Sequence, residues 1–505
     1  MGAVTALGGR ERASPQPLGS DLGDGARSAE RSTDNIGPPE TITAVGVAFL
    51  YAVIMAGHMT SADGNLMFWQ AMSLALNHSI HFAWPVPTPA GNFWNSQYGL
   101  GLSLLYVPGI VIVHWLDPSL VQHAIPPTSP NTWKLFALVG APVEIVVTAV
   151  GALMVAGCLR QLGSGHRLAI AGLLVYGICS PAIVYSKLDF AQPLEALCYL
   201  LALWAVLKSR TDARPRWAVL AGCVLFYAIL TRPVEGALLF PALLLLDRRR
   251  GAVGVLIGGL LLGVAVTLLV NFVRSGNPLH SYHGDVAFST PLLVGLAGSL
   301  LSPARGLLWS LPAIFLAPVG GWYLWRSSRR FEALAIVYLC IALLIVVSLW
   351  FAWWGGYDWG LRLFLPAMPL VVILGMLGVS RLRPAVGWLV GGVIAAAGLA
   401  WALPGSIENG FFYEAFANGT VASWKLDAYP PVGAWQFLRG WLGSGPIGAT
   451  PSADVLWLSL SRPDHLGLLI PMGVLSLLAI GCLLEGVRRA WITGPAGSGG
   501  HIVPG

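Results

Sequence analysis

Few residues of this 505-residue chain can do chemistry, because only 10% of it is charged. Asp63 stands in Ser61-Ala62-Asp63-Gly64, just past the first apolar run of membrane length. A carboxylate at such a boundary can take a proton from a hydroxyl delivered from either phase. Asp189 lies in a second short polar segment. Two carboxylates around one cavity can divide labour, one as general base and the other orienting it or holding a cation. Each also has a plainer role: Asp-Gly is a turn-favouring pair, and Asp189 is placed to cap a helix starting at Phe190.

The second chemical set is cationic. Lys187, Arg232, Arg274, Arg305 and Arg362 fall in or beside apolar runs. An arginine at mid-membrane costs roughly 2.5–3.5 kcal/mol on insertion scales, so such residues usually face a cavity or a bundle interior and have a partner. Several cations near one membrane face suit a phosphate or diphosphate group. The plainer alternative is snorkelling side chains and structural ion pairs, for instance Arg232 with Glu235. Glu144, Glu195 and Glu235 sit within apolar runs and must be paired or neutral. His280, His283 and Asp285 in HSYHGD resemble a metal corner, but their spacing is irregular and no metal ligand is assigned. No Gly-rich nucleotide-phosphate loop is present.

The elements that position these residues are membrane helices. Hydrophobic residues make up 56% of the chain and its mean hydropathy is +0.70, against ~25% charged residues in a typical soluble domain. Each helical crossing uses ~20 apolar residues. Crossings are expected near 41–59, 132–158, 167–186, 190–208, 216–231, 233–246, 251–271, 307–325, 331–350, 362–379, 384–404 and 463–486. One side then receives Arg160 and Arg167, Lys208 to Arg216, Arg248 to Arg250, Arg326 to Arg330, Arg381 and Arg383, and Arg488 and Arg489. By the positive-inside rule that side is cytoplasmic, and both termini share it. The net charge of +6 therefore reflects topology, not nucleic-acid binding. The six cysteines (158, 179, 198, 223, 340 and 482) all lie in apolar runs and make no disulfide or zinc pattern.

The fold class expected is an all-α polytopic membrane protein of about twelve transmembrane helices. Residues 99–116 read as an in-plane or re-entrant helix of the first outer loop, because counting them as a crossing would put the arginine clusters outside. Residues 1–40 read as a disordered cytoplasmic tail, 41–404 as the transmembrane domain with outer loops 60–131 and 272–306, and 405–462 as an outer loop or small cap. The segment 463–486 is the last crossing and 487–505 a second tail. Trp424, Trp435 and Trp441 make the 405–462 loop an aromatic lid at the interface or a substrate subsite.

Asp63-Gly64-Asn65-Leu66-Met67-Phe68-Trp69-Gln70-Ala71, followed by Ser96-Gln97-Tyr98-Gly99-Leu100-Gly101, resembles the first outer loop of the GT-C membrane glycosyltransferases. The relatives meant are those dependent on polyprenyl-phosphate sugars, such as protein O-mannosyltransferases and lipid A aminoarabinose transferases. NFVRSGNPLHSY (271–282), LSPARGLLWSLP (301–312) and WWGGYDWGLRLFLP (353–366) are similar to a bacterial branch of that superfamily, as are 185–210 and 230–246. Together they span most of residues 41–380, and their order and spacing carry the resemblance.

The resemblance implies catalysis on the outer face of the inner (plasma) membrane, with a polyprenyl-phosphate-linked sugar donor. It implies inversion at the anomeric carbon and a lipid, glycan or protein acceptor. It implies that Asp63 takes the acceptor's hydroxyl proton and that Arg362, Arg232, Arg305, Arg274 and Lys187 are candidates for the donor phosphate, Arg362 foremost. Tyr98, Trp354, Tyr282 and His283 are the expected pocket residues. Many relatives have a second acid beside the first, where this chain has Gly64, and a divalent metal held by paired acids is therefore left open. An acid often found before the next proline is here Gln192, with Asp189 three residues earlier as its substitute. The reading from a different class is a polytopic transporter or lipid flippase with the same cationic cavity.

Overall fold

In a computed structural model of the chain, the residues described are 35–88, 91–122, 124, 130–212, 214–280, 287–356, 359–407, 423–426, 432–433, 455 and 466–493. Fifteen helices of ten or more residues organise them. The first five are α1 (Pro38–Ile54), α2 (Ala62–Asn77), α3 (Gly101–Leu116), α4 (Pro130–Gln161) and α5 (His166–Gly177). Next come α6 (Gln192–Thr211), α7 (Pro215–Thr231), α8 (Pro233–Leu246), α9 (Arg250–Ser275) and α10 (Leu292–Leu301). The last five are α11 (Ala317–Arg326), α12 (Arg330–Leu349), α13 (Met368–Val379), α14 (Pro384–Ile407) and α15 (Leu466–Thr493). Among the described residues, six helical stretches are long and apolar enough to cross a membrane, and five shorter apolar helices accompany them. This is an all-α polytopic membrane fold with one small exception.

The exception lies between α2 and α3. There β1 (His81–Thr88) and β2 (Gly91–Asn95) form an antiparallel hairpin, with His81 opposite Asn95 and Ala83 opposite Phe93. In-plane or re-entrant helices are the expectation for this stretch; Pro85 and Pro87 fall within β1, although proline is disfavoured in strands. A two-stranded ribbon tolerates them, because every strand in it is an edge. Of residues 99–116, Gly101–Leu116 are helical as α3, which packs on α2 and α4. Sixteen residues span about 24 Å, less than the ~30 Å hydrocarbon thickness.

The core is central and apolar. Helix α6 and the segment Arg362–Val379 are almost wholly buried, whereas α9 and α15 leave most of their apolar surface open to lipid. Proline sets the joints: Pro233 starts α8 directly after Arg232, so α7 and α8 meet at a break bearing that arginine. Glycine sets the closest contacts. A Cβ at Gly320 would lie 1.9 Å from the Leu374 carbonyl, and one at Gly378 would lie 2.3 Å from that of Leu316, so α11 and α13 touch backbone to backbone. The crossing expected at 307–325 is correspondingly broken into Leu307–Ser310, a 3₁₀ turn at Pro312–Phe315, and α11.

Gly320→Leu is expected to force α11 from α13 and lower the thermal midpoint in detergent, by overpacking that costs about 1–3 kcal/mol or more. An unchanged midpoint would show that the two helices do not depend on this contact.

Candidate active site

Asp63 is the second residue of α2, not part of a turn. Ser61 caps the helix by accepting from the Gly64 amide at 2.8 Å, and the positive end of the helix favours a carboxylate in its first turn. Arg362 Nη1 donates to Asp63 Oδ2 at 2.9 Å, across 299 residues of chain. The Tyr98 hydroxyl donates to Asp63 Oδ1 at 2.6 Å. Burial first, then the adjacent Asp63 carboxylate, push the Tyr98 hydroxyl well above its ordinary value, so it remains a proton donor across the neutral range. Gln97 donates to the Tyr98 hydroxyl at 2.8 Å, and Arg274 Nη1 to the Tyr98 carbonyl at 2.9 Å. A carboxylate has about four acceptor positions, so Asp63 keeps capacity for a substrate hydroxyl.

Arg362 is held from two further directions. Its guanidinium lies 4.2 Å over the Phe190 ring, and its Nη2 donates to the Gly355 carbonyl at 2.5 Å. Gly355, Gly356 and Gly360 all have φ between 70° and 88°, a region that side chains disfavour. That backbone turns the Gly355 carbonyl toward Arg362, and those of Gly356 and Gly360 toward Arg305, at 3.0 and 3.4 Å. The loop is pinned by Trp359, which stacks edge-on with Trp401 and bonds through its backbone to the Tyr185 hydroxyl.

Asp189 is buried and caps nothing, for the helix after it starts at Gln192. Its Oδ1 accepts from the Thr60 amide at 3.1 Å, the Thr60 hydroxyl at 2.7 Å and the Ser61 amide at 3.1 Å. Burial raises this carboxyl above its ordinary range, and the bonds from Thr60 and Ser61 oppose the rise. A Cβ at Gly64 would lie 1.9 Å from Asp189 Oδ2. The acid missing beside Asp63 is thus accompanied by an acid from elsewhere that fills the side-chain space of position 64.

A cavity of about 480 Å³ opens in front of Asp63. Asp63, Tyr98, Arg232, Arg274 and Arg362 line it, with Gln97, Asn271, His280 and the end of α12. Arg232 arrives already paired: it contacts Glu235 at 2.6 Å and Glu195 at 3.6 Å. Asp189, Lys187, Arg305 and Trp354 do not line the cavity. Lys187 is buried, Arg305 serves the glycine loop, and Trp354 packs edge-on against Trp353. Tyr282, His283 and Asp285 lie outside the described residues, as do Trp435 and Trp441. Glu144 accepts from the Tyr106 hydroxyl at 2.5 Å. Among the described residues no three His, Cys, Asp or Glu side chains gather to hold a metal. Sequence reasoning gave no role to Gln97, Phe190 or Thr60; Gln97 and Phe190 stood inside the stretches 96–101 and 185–210, without any sign that an arginine would cover Phe190.

Gly64→Ala is expected to displace Asp189 and destabilise the protein by about 1–3 kcal/mol. Paired with Asp189→Ala, the loss should fall well short of the sum of the two single losses in a thermal-unfolding cycle. Strict additivity would show that the two positions do not share this space.

No protein-family profile and no curated protein matches the chain. Among solved structures it is similar to ArnT from Cupriavidus metallidurans in the apo state, at 17% identity and TM-score 0.48 over 93% of this chain and 75% of that one. The same protein bound to undecaprenyl phosphate aligns at 15% identity and TM-score 0.46, over 89% and 76%. AglB, the archaeal oligosaccharyltransferase from Archaeoglobus fulgidus, in complex with an inhibitory peptide and a dolichol-phosphate, aligns at 14% identity and TM-score 0.45, over 72% and 55%. In motif order the chain resembles the GT-C membrane glycosyltransferases, and ArnT and AglB are solved proteins to which it is similar in structure.

Proposed function

We propose that this chain is a membrane glycosyltransferase that moves a sugar from a polyprenyl-phosphate donor to an acceptor hydroxyl, with inversion at the anomeric carbon. The observation that supports it most is the meeting of one carboxylate, Asp63, with Arg362 and Arg274 at a single cavity. A sugar phosphodiester gains a negative charge when its lipid phosphate departs, and preorganised cations stabilise that charge where it develops. Arg362 and Arg274 take this role. Arg232 keeps Glu235 and Glu195 as partners and frames the wall.

Asp63 is the acceptor base. A donor phosphate competes with its carboxylate for Arg362, and as that guanidinium turns to the phosphate, Asp63 Oδ2 becomes available to the acceptor hydroxyl. The hydroxyl proton passes to Asp63, the oxygen attacks the anomeric carbon, and the carbon–phosphate-oxygen bond breaks. Tyr98 holds the other carboxylate oxygen so that the base faces one direction. Asp189 acts at one remove, by fixing the turn from which α2 starts. The acceptor is a lipid, glycan or protein hydroxyl. The cavity faces the side opposite the arginine-rich loops, outside the inner membrane, with both termini in the cytoplasm.

Asp63→Asn is expected to lower transfer from a polyprenyl-phosphate sugar by about 10²-fold or more, with expression unchanged; full turnover in that variant would sink the base assignment. Arg362→Ala should weaken donor-lipid binding roughly tenfold or more, a charge-assisted hydrogen bond being worth about 1.5–3 kcal/mol. Unchanged donor affinity in a filter or calorimetric assay removes Arg362 from the phosphate site.

A further inference from the structure

A second cavity lies outside the site described above and shares no residue with it. It is a groove of about 510 Å³ between α11, α12 and α13, and every residue that lines it is apolar. Its origin is local. Gly320 and Gly378 draw α11 tightly onto α13, and the next residue round the helix, Gly321, is turned to α12 instead. A Cβ there would meet only Val337, at 3.7 Å. The missing side chain leaves a trough walled by Gly321, Trp325, Val337, Cys340, Leu344 and Leu374.

The dimensions of this trough match one leaflet. On α12 its wall runs from Ala333 to Leu344. Those eleven steps cover about 16 Å at 1.5 Å per residue, half of the ~30 Å hydrocarbon thickness. The end of the trough is cationic. Helix α11 finishes at Arg326 and α12 begins at Arg330, both exposed. The Arg326 guanidinium lies 4.4 Å over the ring of Trp322, itself part of the wall. No described acid forms an ion pair with Arg326 or Arg330, whereas Arg329 is turned away and donates to the Gln161 carbonyl at 2.7 Å. Trp322 and Trp325 are half exposed at the same level, where indole rings anchor at the headgroup boundary.

We propose that this groove binds an anionic phospholipid of the arginine-side leaflet. One acyl chain lies in the trough, and the phosphate is held between Arg326 and Arg330. Charge complementarity selects the anionic lipid: a zwitterionic one brings its own cation into the same pair of guanidinium groups. The proposal does not depend on the transferase reading.

Native mass spectrometry of the delipidated full chain, titrated with phosphatidylglycerol, with phosphatidylcholine of the same acyl chains and with undecaprenyl phosphate, tests it. One phosphatidylglycerol per chain should be retained at least about tenfold more strongly than phosphatidylcholine, a preference of about 1.4 kcal/mol. Gly321→Leu, which fills the trough, and the surface double variant Arg326→Ala/Arg330→Ala should each abolish that preference. The arginine variant alters no buried residue and keeps the test valid if the leucine disturbs folding. Equal retention of both phospholipids, or retention untouched by the arginine variant, overturns the proposal. One-for-one displacement by undecaprenyl phosphate would assign the groove to a polyprenyl chain, and loss of a dimer in Gly321→Leu would assign it to a second copy; either outcome overturns it.

Discussion

The Asp63–Arg362 pair sets the terms for everything around it. Taking two charges partly out of water is costly, and their attraction offsets that cost only with good geometry and further hydrogen bonds. Each partner has such support here: Tyr98 for the carboxylate, the Gly355 carbonyl and Phe190 face for the guanidinium. None of these supports is local to Asp63 in sequence. They come from loops and helix ends, which are precise only because central helices grip them. Tyr185 and Trp401 hold the glycine loop, and Asp189 holds the turn before α2.

The second principle is economy of buried charge. Glu195 and Glu235 face Arg232, and Glu144 accepts from Tyr106. Arg305 has only backbone carbonyls among the acceptors described for it, both from positive-φ glycines or their neighbours. An apolar interior thus carries several ionisable groups: Asp63, Arg232, Glu235, Arg274 and Arg362 line the cavity, whereas Glu144, Asp189, Glu195 and Arg305 do not.

Much of this was legible in the sequence, and for identifiable reasons. Apolar runs and the arginine asymmetry are properties of single segments, so the helical membrane fold could be read from them. Asp63 and Arg362 stood out because each is a charge at a place where the bilayer disfavours one. The part played by Asp189 was not legible: its partners are 128 and 129 residues away, and the space it fills belongs to Gly64. Nor was the division among the arginines, since Arg362 meets Asp63 and Phe190 from distant segments while Arg305 takes the Gly356 and Gly360 carbonyls. The hairpin at 81–95 was not foreseen: its strands carry Pro85 and Pro87, which weigh against strands on average but not on an edge.

The helices at the two ends of the described chain lie against each other. Gly46 of α1 meets the backbone at Leu483, and Gly486 of α15 meets Thr43. A ribosome adds about 5–20 residues per second, so α1 waits on the order of tens of seconds before its partner exists. During that interval the small-residue face of α1 is open to lipid and to other nascent helices. Helix α15 therefore acts as the closing stave of the bundle, and a chain released before it is made would leave the membrane with a complete candidate site beside an unclosed seam.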